Sequence, residues 1–318
     1  LRARELTAII DKAQVSHALC DGRLAEELQL ALPQCPTLKH LLCFGGELEA
    51  RAAQQPAHFD NVRTAADDTC LIAFTSGTTG VPKGTMHFHR DVMAACACWP
   101  PHVLRATADD VFIGSPPLAF TFGLGGLVLF PMSIGASTVL VEKASPDTLL
   151  PAMAQYGATV CFTAPTSYRA MAALVPQHDL SRLRKCVSAG EALPAATRLL
   201  WKQATGIEII DGIGSTELLH IFISADEAHA RPGATGVPVP GYRAAVLGEN
   251  GQPLPPGQVG RLAIKGPTGC KYLDDPRQQQ YVQDGWNLTG DAYLVDEDGQ
   301  FVYQARTDDM IISGGYNI

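Results

Sequence analysis

Thr75-Ser76-Gly77-Thr78-Thr79-Gly80-Val81-Pro82-Lys83-Gly84 is the stretch of this sequence that decides its fold. Its glycines allow the backbone to approach an anion closely, its hydroxyl side chains donate hydrogen bonds, and Lys83 adds a positive charge. The apolar run Cys70-Leu71-Ile72-Ala73-Phe74 comes directly before it and predicts a buried parallel strand. A strand that leads straight into such a loop predicts a phosphate-binding loop, and a polyphosphate is the ligand that uses all of these groups.

A Walker A loop and a surface hairpin turn are the alternatives for this stretch. Walker A requires a lysine that opens a helix and is followed by a serine or threonine that holds Mg²⁺. Here Pro82 disfavours helical geometry in the residue before it, and Gly84 stands where the metal-binding hydroxyl is needed, which excludes Walker A. A glycine-rich hairpin turn remains open, because the loop by itself does not distinguish the two.

Composition and charge limit the class of protein. A chain of 318 residues is long enough for two or more subdomains. The formal net charge of -8 and the pI of about 5.6 argue against a nucleic-acid partner, since such a partner needs a basic surface. Nine cysteines without a Cys-x-x-Cys pair predict a reduced, cytoplasmic protein without a zinc site.

A charge-free stretch at 120–141 is long enough to suggest a membrane span. Its glycines and Pro131 divide it, which predicts a loop, a short buried helix and a strand from Ala136 to Val141 instead. The first residues, 1–5, are charged rather than apolar, so no signal peptide is expected. The sequence therefore predicts no membrane span.

Strands and helices alternate along most of the chain, which predicts an α/β fold. We expect a remnant of a first α/β subdomain at 1–60 and a central α/β subdomain at 61–232 that carries the phosphate loop. At 233–318 short alternating strands are separated by turns with proline and glycine, which predicts a small, β-rich, barrel-like subdomain. Among the clearest single elements is a helix at Ala195–Thr205 that Gly206 ends.

The pattern T-S-G-T-T-G-x-P-K-G resembles the signature loop of the adenylate-forming acyl-CoA synthetase superfamily, the AMP-binding enzymes. The continuation Thr85-Met86-His87-Phe88-His89 and several downstream stretches look most like the benzoate and 2-aminobenzoate CoA ligases. The resemblance implies the core of a large N-terminal adenylation domain. It also implies that the sequence stops just past an interdomain hinge at Asp308, so the C-terminal lid domain of the family is expected to be absent.

The same resemblance implies ATP, Mg²⁺ and coenzyme A as cofactors. In the family the acid that matches Glu217 holds Mg²⁺, a cation that prefers hard oxygen ligands, and the hydroxyl that matches Thr216 contacts the α-phosphate. The acid that matches Asp291 takes the ribose hydroxyls, and the expected catalytic set is Lys83, Thr216 and Glu217. The residues expected to bind the nucleotide are Thr75, Ser76, Gly77, Thr78, Thr79, Gly80, Lys83, Ser188, Ala189, Gly190, Glu191, Asp211, Gly212, Gly214, Ser215, Thr216, Asp291 and Arg306.

Each downstream motif has a purely structural alternative. The small residues at 188–191 suit a plain strand-to-helix turn, Glu217 suits the first turn of a helix, and Thr-Gly-Asp at 289–291 is common in surface turns. Their order and spacing behind the loop at 75–84 favour the nucleotide site.

An acid pocket is expected at Thr121, Phe122, Gly214, His220 and Ile221, because the residues that match them in the aryl-CoA ligases belong to the aromatic ring site and the nucleotide motif beside it. Phe122 stands where a tyrosine is usual, which leaves the preference for ring substituents open. Core packing is the alternative for Phe122, and a structural buried histidine is the alternative for His220.

The resemblance predicts an ATP-dependent ligase that activates an aromatic carboxylate through an acyl-adenylate, releases pyrophosphate and forms the CoA thioester. One alternative is an enzyme that loads a carrier-protein thiol. The other is a module that binds nucleotide and acid without turnover, since without the lid this chain is expected to be poorly active. An oligomer is compatible with the sequence.

Overall fold

The computed structural model describes residues 1–75 and 82–307, together with the backbone of residues 312–313 and 316–317. The chain forms two compact units. The first unit comprises Leu1–Phe88 and Tyr272–Asp275, and the second comprises His89–Lys271 and Pro276–Ile318. Helices and strands alternate in both units, which confirms the α/β class; the three-part division at residues 60 and 232 stays a prediction.

Short helices and strands build the first unit. They are α1 (Ala3–Ala13), β1 (His17–Asp21), α2 (Ala25–Ala31), β2 (His40–Phe44), α3 (Glu47–Ala52), β3 (Thr69–Thr75) and β4 (Lys83–Phe88). β1 and β2 pair in parallel, with His17 opposite His40. α1 and α2 pack through a small apolar core that includes Ile10, Ala31 and Leu38.

The strand before the phosphate loop differs from its prediction. β3 pairs antiparallel with β4, so that Thr75 lies opposite Lys83 and the loop joins the two strands of a hairpin. Cys70 is exposed, and of the strand's apolar side chains only Ala73 is fully buried. The prediction of a buried parallel strand is therefore wrong, because a short apolar run carries no information about the direction of its partner.

Part of the predicted phosphate loop is outside the part of the chain that the structure describes. Residues 76–81 lie outside the described residues, and so does Asp308. The contacts predicted for Ser76, Gly77, Thr78, Thr79 and Gly80, and the hinge at Asp308, therefore stay predictions.

A mostly parallel sheet is the centre of the second unit. In the described residues its seven strands follow the order β11-β10-β9-β8-β7-β5-β6. Five neighbouring strands run parallel: β6, β5, β7, β8 and β9. Next to them, β10 is antiparallel to β9, and β11 is antiparallel to β10. The elements are α4 (His89–Cys98), β5 (Val111–Gly114), α5 (Thr121–Leu124), α6 (Phe130–Ile134), β6 (Ser137–Val139), α7 (Pro146–Tyr156), β7 (Val160–Thr163), α8 (Pro165–Ala172), β8 (Lys185–Ser188), α9 (Ala195–Thr205), β9 (Ile209–Gly214), β10 (Ile221–Ser224) and β11 (Val237–Pro238).

Helices α7, α8 and α9 cover one face of this sheet through a continuous apolar core. The core includes Leu150, Tyr168, Trp201 and Ile209, all fully buried. α9 has its predicted bounds and ends at Gly206, whose φ of 76° is one that glycine adopts at little cost. This packing fixes the carboxyl ends of the parallel strands, where open α/β sheets bind their ligands.

The β-rich part predicted after residue 233 is confirmed as a separate sheet. Its order is β12-β13-β15-β14, with β16 also paired to β15. The elements are β12 (Arg243–Leu247), β13 (Gly260–Lys265), α10 (Gln278–Tyr281), β14 (Val282–Gln283), β15 (Trp286–Val295), β16 (Phe301–Arg306), β17 (Ile312–Ser313) and β18 (Tyr316–Asn317).

The charge-free stretch at 120–141 folds as several short elements. α5, a π-helical turn at Gly125–Leu129 and α6 run without a break from Thr121 to Ile134, so the loop predicted there is wrong, because the glycines are accommodated within the helical run. The strand predicted at Ala136–Val141 is present but shorter, as β6 at Ser137–Val139. Within the described parts of the chain, every helix is too short or too polar to cross a membrane.

Candidate functional site

Two buried polar side chains lie opposite each other on neighbouring parallel strands. Ser188 ends β8 and Asp211 lies on β9, and the two are register partners. Burial raises the pKa of Asp211, and the Ser188 hydroxyl nearby opposes part of that rise. Even so, neither Ser188 Oγ nor Asp211 Oδ1 makes a hydrogen bond of ordinary geometry to the described residues. A buried polar atom without a partner is costly, so both atoms are suited to accept or donate toward a ligand.

Burial raises the pKa of Asp211 to about 7, against the attraction of the Arg198 guanidinium. Arg198 is itself engaged, because its Nη1 donates to Glu208 Oε1 at 2.6 Å and to the Ile209 carbonyl at 3.0 Å. The Asp211 carboxyl therefore titrates near neutral pH.

The turn after β8 has one glycine that its backbone requires. Gly190 has a φ of 92°, which a residue with a Cβ adopts only with strain. Ala189 beside it is buried. Glu191 Oε1 accepts from the backbone N–H of Thr166 at 3.0 Å, in the first turn of α8. Glu191 thus has a structural contact as well as its predicted nucleotide role.

A tight turn after β9 buries Glu217. Ser215 caps a 3-10 turn at Thr216–Leu218, where its Oγ accepts from the Leu218 N–H at 3.3 Å. Glu217 is only 8% exposed. Burial raises the pKa of Tyr281 well above its usual range, and the charge of Glu217 adds to that rise. The next residue but one, Leu219, has a φ of 72°, a strained value for a leucine. The turn therefore places a buried carboxylate beside a strained backbone conformation, which the surrounding packing must stabilise.

His220 follows this turn and lies in a cluster of aromatic rings. Its ring is 4.5 Å from Phe130 in an edge-to-face arrangement, 5.8 Å from Phe122 and 5.9 Å from Trp99, measured between ring centroids. His220 Nε2 lies 3.4 Å from the Phe122 carbonyl, and Nδ1 has no hydrogen-bond partner among the described residues. Burial lowers the pKa of His220 to about 3, so the ring is neutral at physiological pH.

Of the other residues predicted for the acid pocket, Phe122 packs into this cluster. Thr121 and Phe122 open α5, and Phe122 packs against Phe162 at 5.6 Å between centroids. Gly125 allows close approach, because a Cβ there would lie 2.3 Å from His220 Cδ2. Ile221, the first residue of β10, is buried. The structure thus brings Phe122 and His220 together in one apolar, ring-rich region, whereas a place for Ile221 in the acid pocket stays a prediction.

Asp291 and Arg306 form a direct pair. They are opposite each other on β15 and β16, with Arg306 Nη1 3.0 Å from Asp291 Oδ1. Both side chains are largely buried, and Arg306 also donates to the Thr289 carbonyl at 3.3 Å. The sequence predicted both as nucleotide contacts, but only the strand pairing shows that the guanidinium holds the carboxylate in place.

The β3–β4 hairpin carries two of the side chains predicted to bind phosphate, Thr75 and Lys83, in its described part. The Thr75 hydroxyl at its end is buried and makes no hydrogen bond to the residues that the structure describes. Lys83 Nζ donates to Tyr272 Oη at 3.0 Å, a contact that spans 189 positions and that no local motif could have revealed.

A metal at this site would have to be held by few protein ligands. Among residues 1–75 and 82–307, no three side chains of His, Cys, Asp or Glu are grouped closely enough to hold an ion by themselves. A single buried carboxylate such as Glu217 fits Mg²⁺, which keeps several waters and is commonly bound by one or two carboxylates together with substrate phosphates.

The described residues form an α/β protein with buried polar side chains on neighbouring parallel strands and in the turn after β9. The model of the AMP-binding enzyme family matches residues 1–272, and the chain belongs to this family. The resemblance first seen in the loop at 75–84 is thereby confirmed.

Several of the similar proteins are aromatic acid ligases by name. The chain is 37% identical to the benzoate–CoA ligase of Thauera aromatica over 98% of its own length and 63% of that protein. It is 34% identical to the anthranilate–CoA ligase of Pseudomonas aeruginosa over 77% of its own length and 48% of that protein. The chain therefore spans less than two thirds of these relatives.

Solved structures agree in fold. The anthranilate CoA ligase AuaEII in complex with anthranoyl-AMP superposes with a TM-score of 0.93 at 36% identity, over 100% of this chain and 63% of that one. A benzoate CoA ligase from Burkholderia xenovorans LB400 gives a TM-score of 0.87 at 29% identity, over 98% of this chain and 64% of that one.

Proposed function

We propose that the full-length protein is an ATP-dependent acid–CoA ligase that activates an aromatic carboxylate of the benzoate or 2-aminobenzoate type. The observation that carries this proposal is the segment 217–220, which joins a buried carboxylate to a histidine packed among aromatic rings. Relatives that act on benzoate and anthranilate support it. A flat apolar acid suits the ring-rich region, since aromatic rings favour edge-to-face and offset contacts.

The proposed reaction has two steps. A carboxylate oxygen attacks the α-phosphate of ATP and pyrophosphate leaves. The CoA thiolate then attacks the acyl carbon of the acyl-adenylate, which forms the thioester and releases AMP. Both reactants of the first step are anions, so the site must offset their repulsion. Bound Mg²⁺ would supply positive charge to the phosphate oxygens.

The chain's own residues have distinct roles in this proposal. Lys83 and the hydroxyl of Thr75 bind phosphate oxygens, and Glu217 provides the carboxylate that holds the metal. Asp291, held by Arg306, accepts hydrogen bonds from the ribose hydroxyls. The neutral His220 ring contributes to the wall against which the acid's ring packs.

The compartment and the acceptor are part of the same proposal. All nine cysteines are free thiols, which supports a reducing cytoplasm. CoA is proposed as acceptor because the similar ligases are CoA ligases by name. A phosphopantetheinyl carrier protein is the competing acceptor.

Pyrophosphate exchange tests the proposal. The full-length protein should exchange labelled pyrophosphate into ATP only when benzoate or a ring-substituted benzoate is present, and the Glu217→Gln variant should lose most of this activity at limiting Mg²⁺. Glu249→Gln, on an exposed turn, is the matched control and should exchange at the parental rate. Exchange that depends on aliphatic acids alone, or a Glu217→Gln variant with parental activity, would contradict the proposal. Adding CoA or a carrier protein then identifies the acceptor by the thioester formed.

A further inference from the structure

Lys83 contacts a tyrosine that the proposed function does not use. Its Nζ lies 3.0 Å from Tyr272 Oη and 5.0 Å from the centre of the tyrosine ring. The shorter distance shows that the phenol oxygen, rather than the face of the ring, makes the main contact with the ammonium group. Tyr272 itself is only 5% exposed.

The backbone around Tyr272 is fixed to the same hairpin that carries Lys83. Tyr272 forms a β-bridge with Thr85, and the Leu273 N–H donates to the Gly84 carbonyl at 2.8 Å. A separate side-chain contact, from Lys12 Nζ to the Asp274 carbonyl at 2.7 Å, takes no part in this pairing with β4. The hydroxyl is therefore held in a defined position relative to β4 by main-chain contacts.

We propose that Tyr272 is a positioning residue, which holds the Lys83 ammonium group where the phosphate loop presents it to the nucleotide. A lysine side chain has high rotamer freedom, and fixing it before the ligand binds removes that cost from the binding step. A neutral hydroxyl is suited to this task, because it accepts a hydrogen bond from the ammonium without cancelling its charge as a carboxylate would. The inference rests on the proposed role of Lys83 toward phosphate.

Pyrophosphate exchange by full-length variants tests whether Tyr272 acts through Lys83. Tyr272→Phe keeps the ring and the backbone contacts but removes the hydroxyl, and it should lower kcat/KM for ATP roughly tenfold, as expected for the loss of a hydrogen bond to a charged group. In a Lys83→Ala background the same substitution should change kcat/KM by less than about twofold, because the partner is gone. Lys12→Met, which loosens the Asp274 contact alone, is the control and should leave exchange unchanged.

A second measurement does not depend on turnover. Trace acetylation with acetic anhydride, followed by peptide mass spectrometry, should modify Lys83 at least about threefold faster in Tyr272→Phe than in the parent, since the amine gains freedom. Equal losses from Tyr272→Phe with and without Lys83 would show a merely structural role, and unchanged labelling of Lys83 would overturn the inference. If the parent shows no acid-dependent exchange, the proposed function fails, and the labelling alone decides whether Tyr272 positions Lys83.

Discussion

At the scale of single residues, Asp211 shows how packing can move a titration into the neutral range. The carboxyl lies within β9, where burial outweighs the attraction of Arg198 and raises its pKa to about 7. Its protonation state in the folded protein therefore changes close to physiological pH, whereas an exposed aspartate is ionised throughout this range.

This titration makes a prediction for stability. The folded state holds the Asp211 proton more tightly than the unfolded state between about pH 4 and pH 7, so this group's contribution to the free energy of unfolding falls as the pH rises through that window. Relative to Asp211→Asn, the parent should lose on the order of 2 kcal/mol between pH 5.5 and pH 7. Urea unfolding of both proteins across this range measures the difference. Parallel pH curves would mean that the buried carboxyl stays ionised.

The pair of Asp291 and Arg306 makes a second prediction at this scale. Asp291→Asn keeps the shape of the side chain but removes the charge that would accept from the ribose hydroxyls. Affinity for ATP should fall by ~1.5 to 3 kcal/mol, or roughly tenfold to a hundredfold, whereas affinity for 2',3'-dideoxy-ATP and for pyrophosphate should change little. Calorimetry on parent and variant compares the three ligands. The ribose contact is ruled out if the variant still prefers ATP over its dideoxy form as strongly as the parent does.

At the scale of elements, the close approach of β9 and β10 shapes the site. A Cβ at Gly214 would lie 2.7 Å from the backbone carbon and oxygen of His220, atoms that cannot move without shifting the whole segment. A Cβ at Gly212 would lie 2.8 Å from Ile221 Cγ2 and 3.2 Å from the Ile223 carbonyl oxygen, so its closest clash is with a side chain rather than with backbone. The glycines of this motif thus serve different purposes, and the one at 214 sets the position of the histidine.

These two glycines form a matched pair for experiment. Gly214→Ala should lower the free energy of unfolding by about 2 kcal/mol and raise the KM for the aromatic acid, because it displaces His220. Gly212→Ala should cost about 1 kcal/mol or less, with a smaller change in KM. Urea unfolding and pyrophosphate exchange on both variants provide the two readouts. A Gly212→Ala variant that is as damaged as Gly214→Ala would show that backbone approach at 214 is not the controlling contact.

At the scale of the whole molecule, the share of its relatives' length that the chain spans bears on its expected catalytic rate. The chain spans 63% of the Thauera benzoate–CoA ligase, and the family resemblance implies a lid domain in such proteins. Lids exclude water from a site, and charges are more effective in the absence of water.

We predict that a C-terminal lid domain raises the rate of adenylation by these 318 residues much more than it raises their affinity for ATP. Joining them at Ile318 to the C-terminal domain of the Thauera relative should raise the rates of pyrophosphate exchange and thioester formation by roughly a hundredfold or more. The two proteins are compared side by side, with ATP affinity as the control for folding. Similar rates would place all the catalytic groups within these 318 residues.

The sequence by itself determined the family, the α/β class and the bounds of α9. The loop pattern at 75–84 is long and specific, and helix signals are local, as the predicted bounds of α9 and its end at Gly206 show. The loop, Asp211, Glu217 and Asp291 could be selected from sequence for the same reason: each belongs to a contiguous motif.

Only the tertiary structure decided which strands pair and which side chains meet across long separations. It pairs β3 with β4 in an antiparallel hairpin and surrounds His220 with aromatic rings. It also brings the Tyr272 hydroxyl to Lys83 and the Arg306 guanidinium to Asp291. It also set the pKa values of Asp211 and His220, because desolvation depends on the atoms packed around a group in three dimensions. Local sequence patterns report backbone preference and burial, but the direction of a pairing and the neighbours of a side chain are set by how distant segments pack.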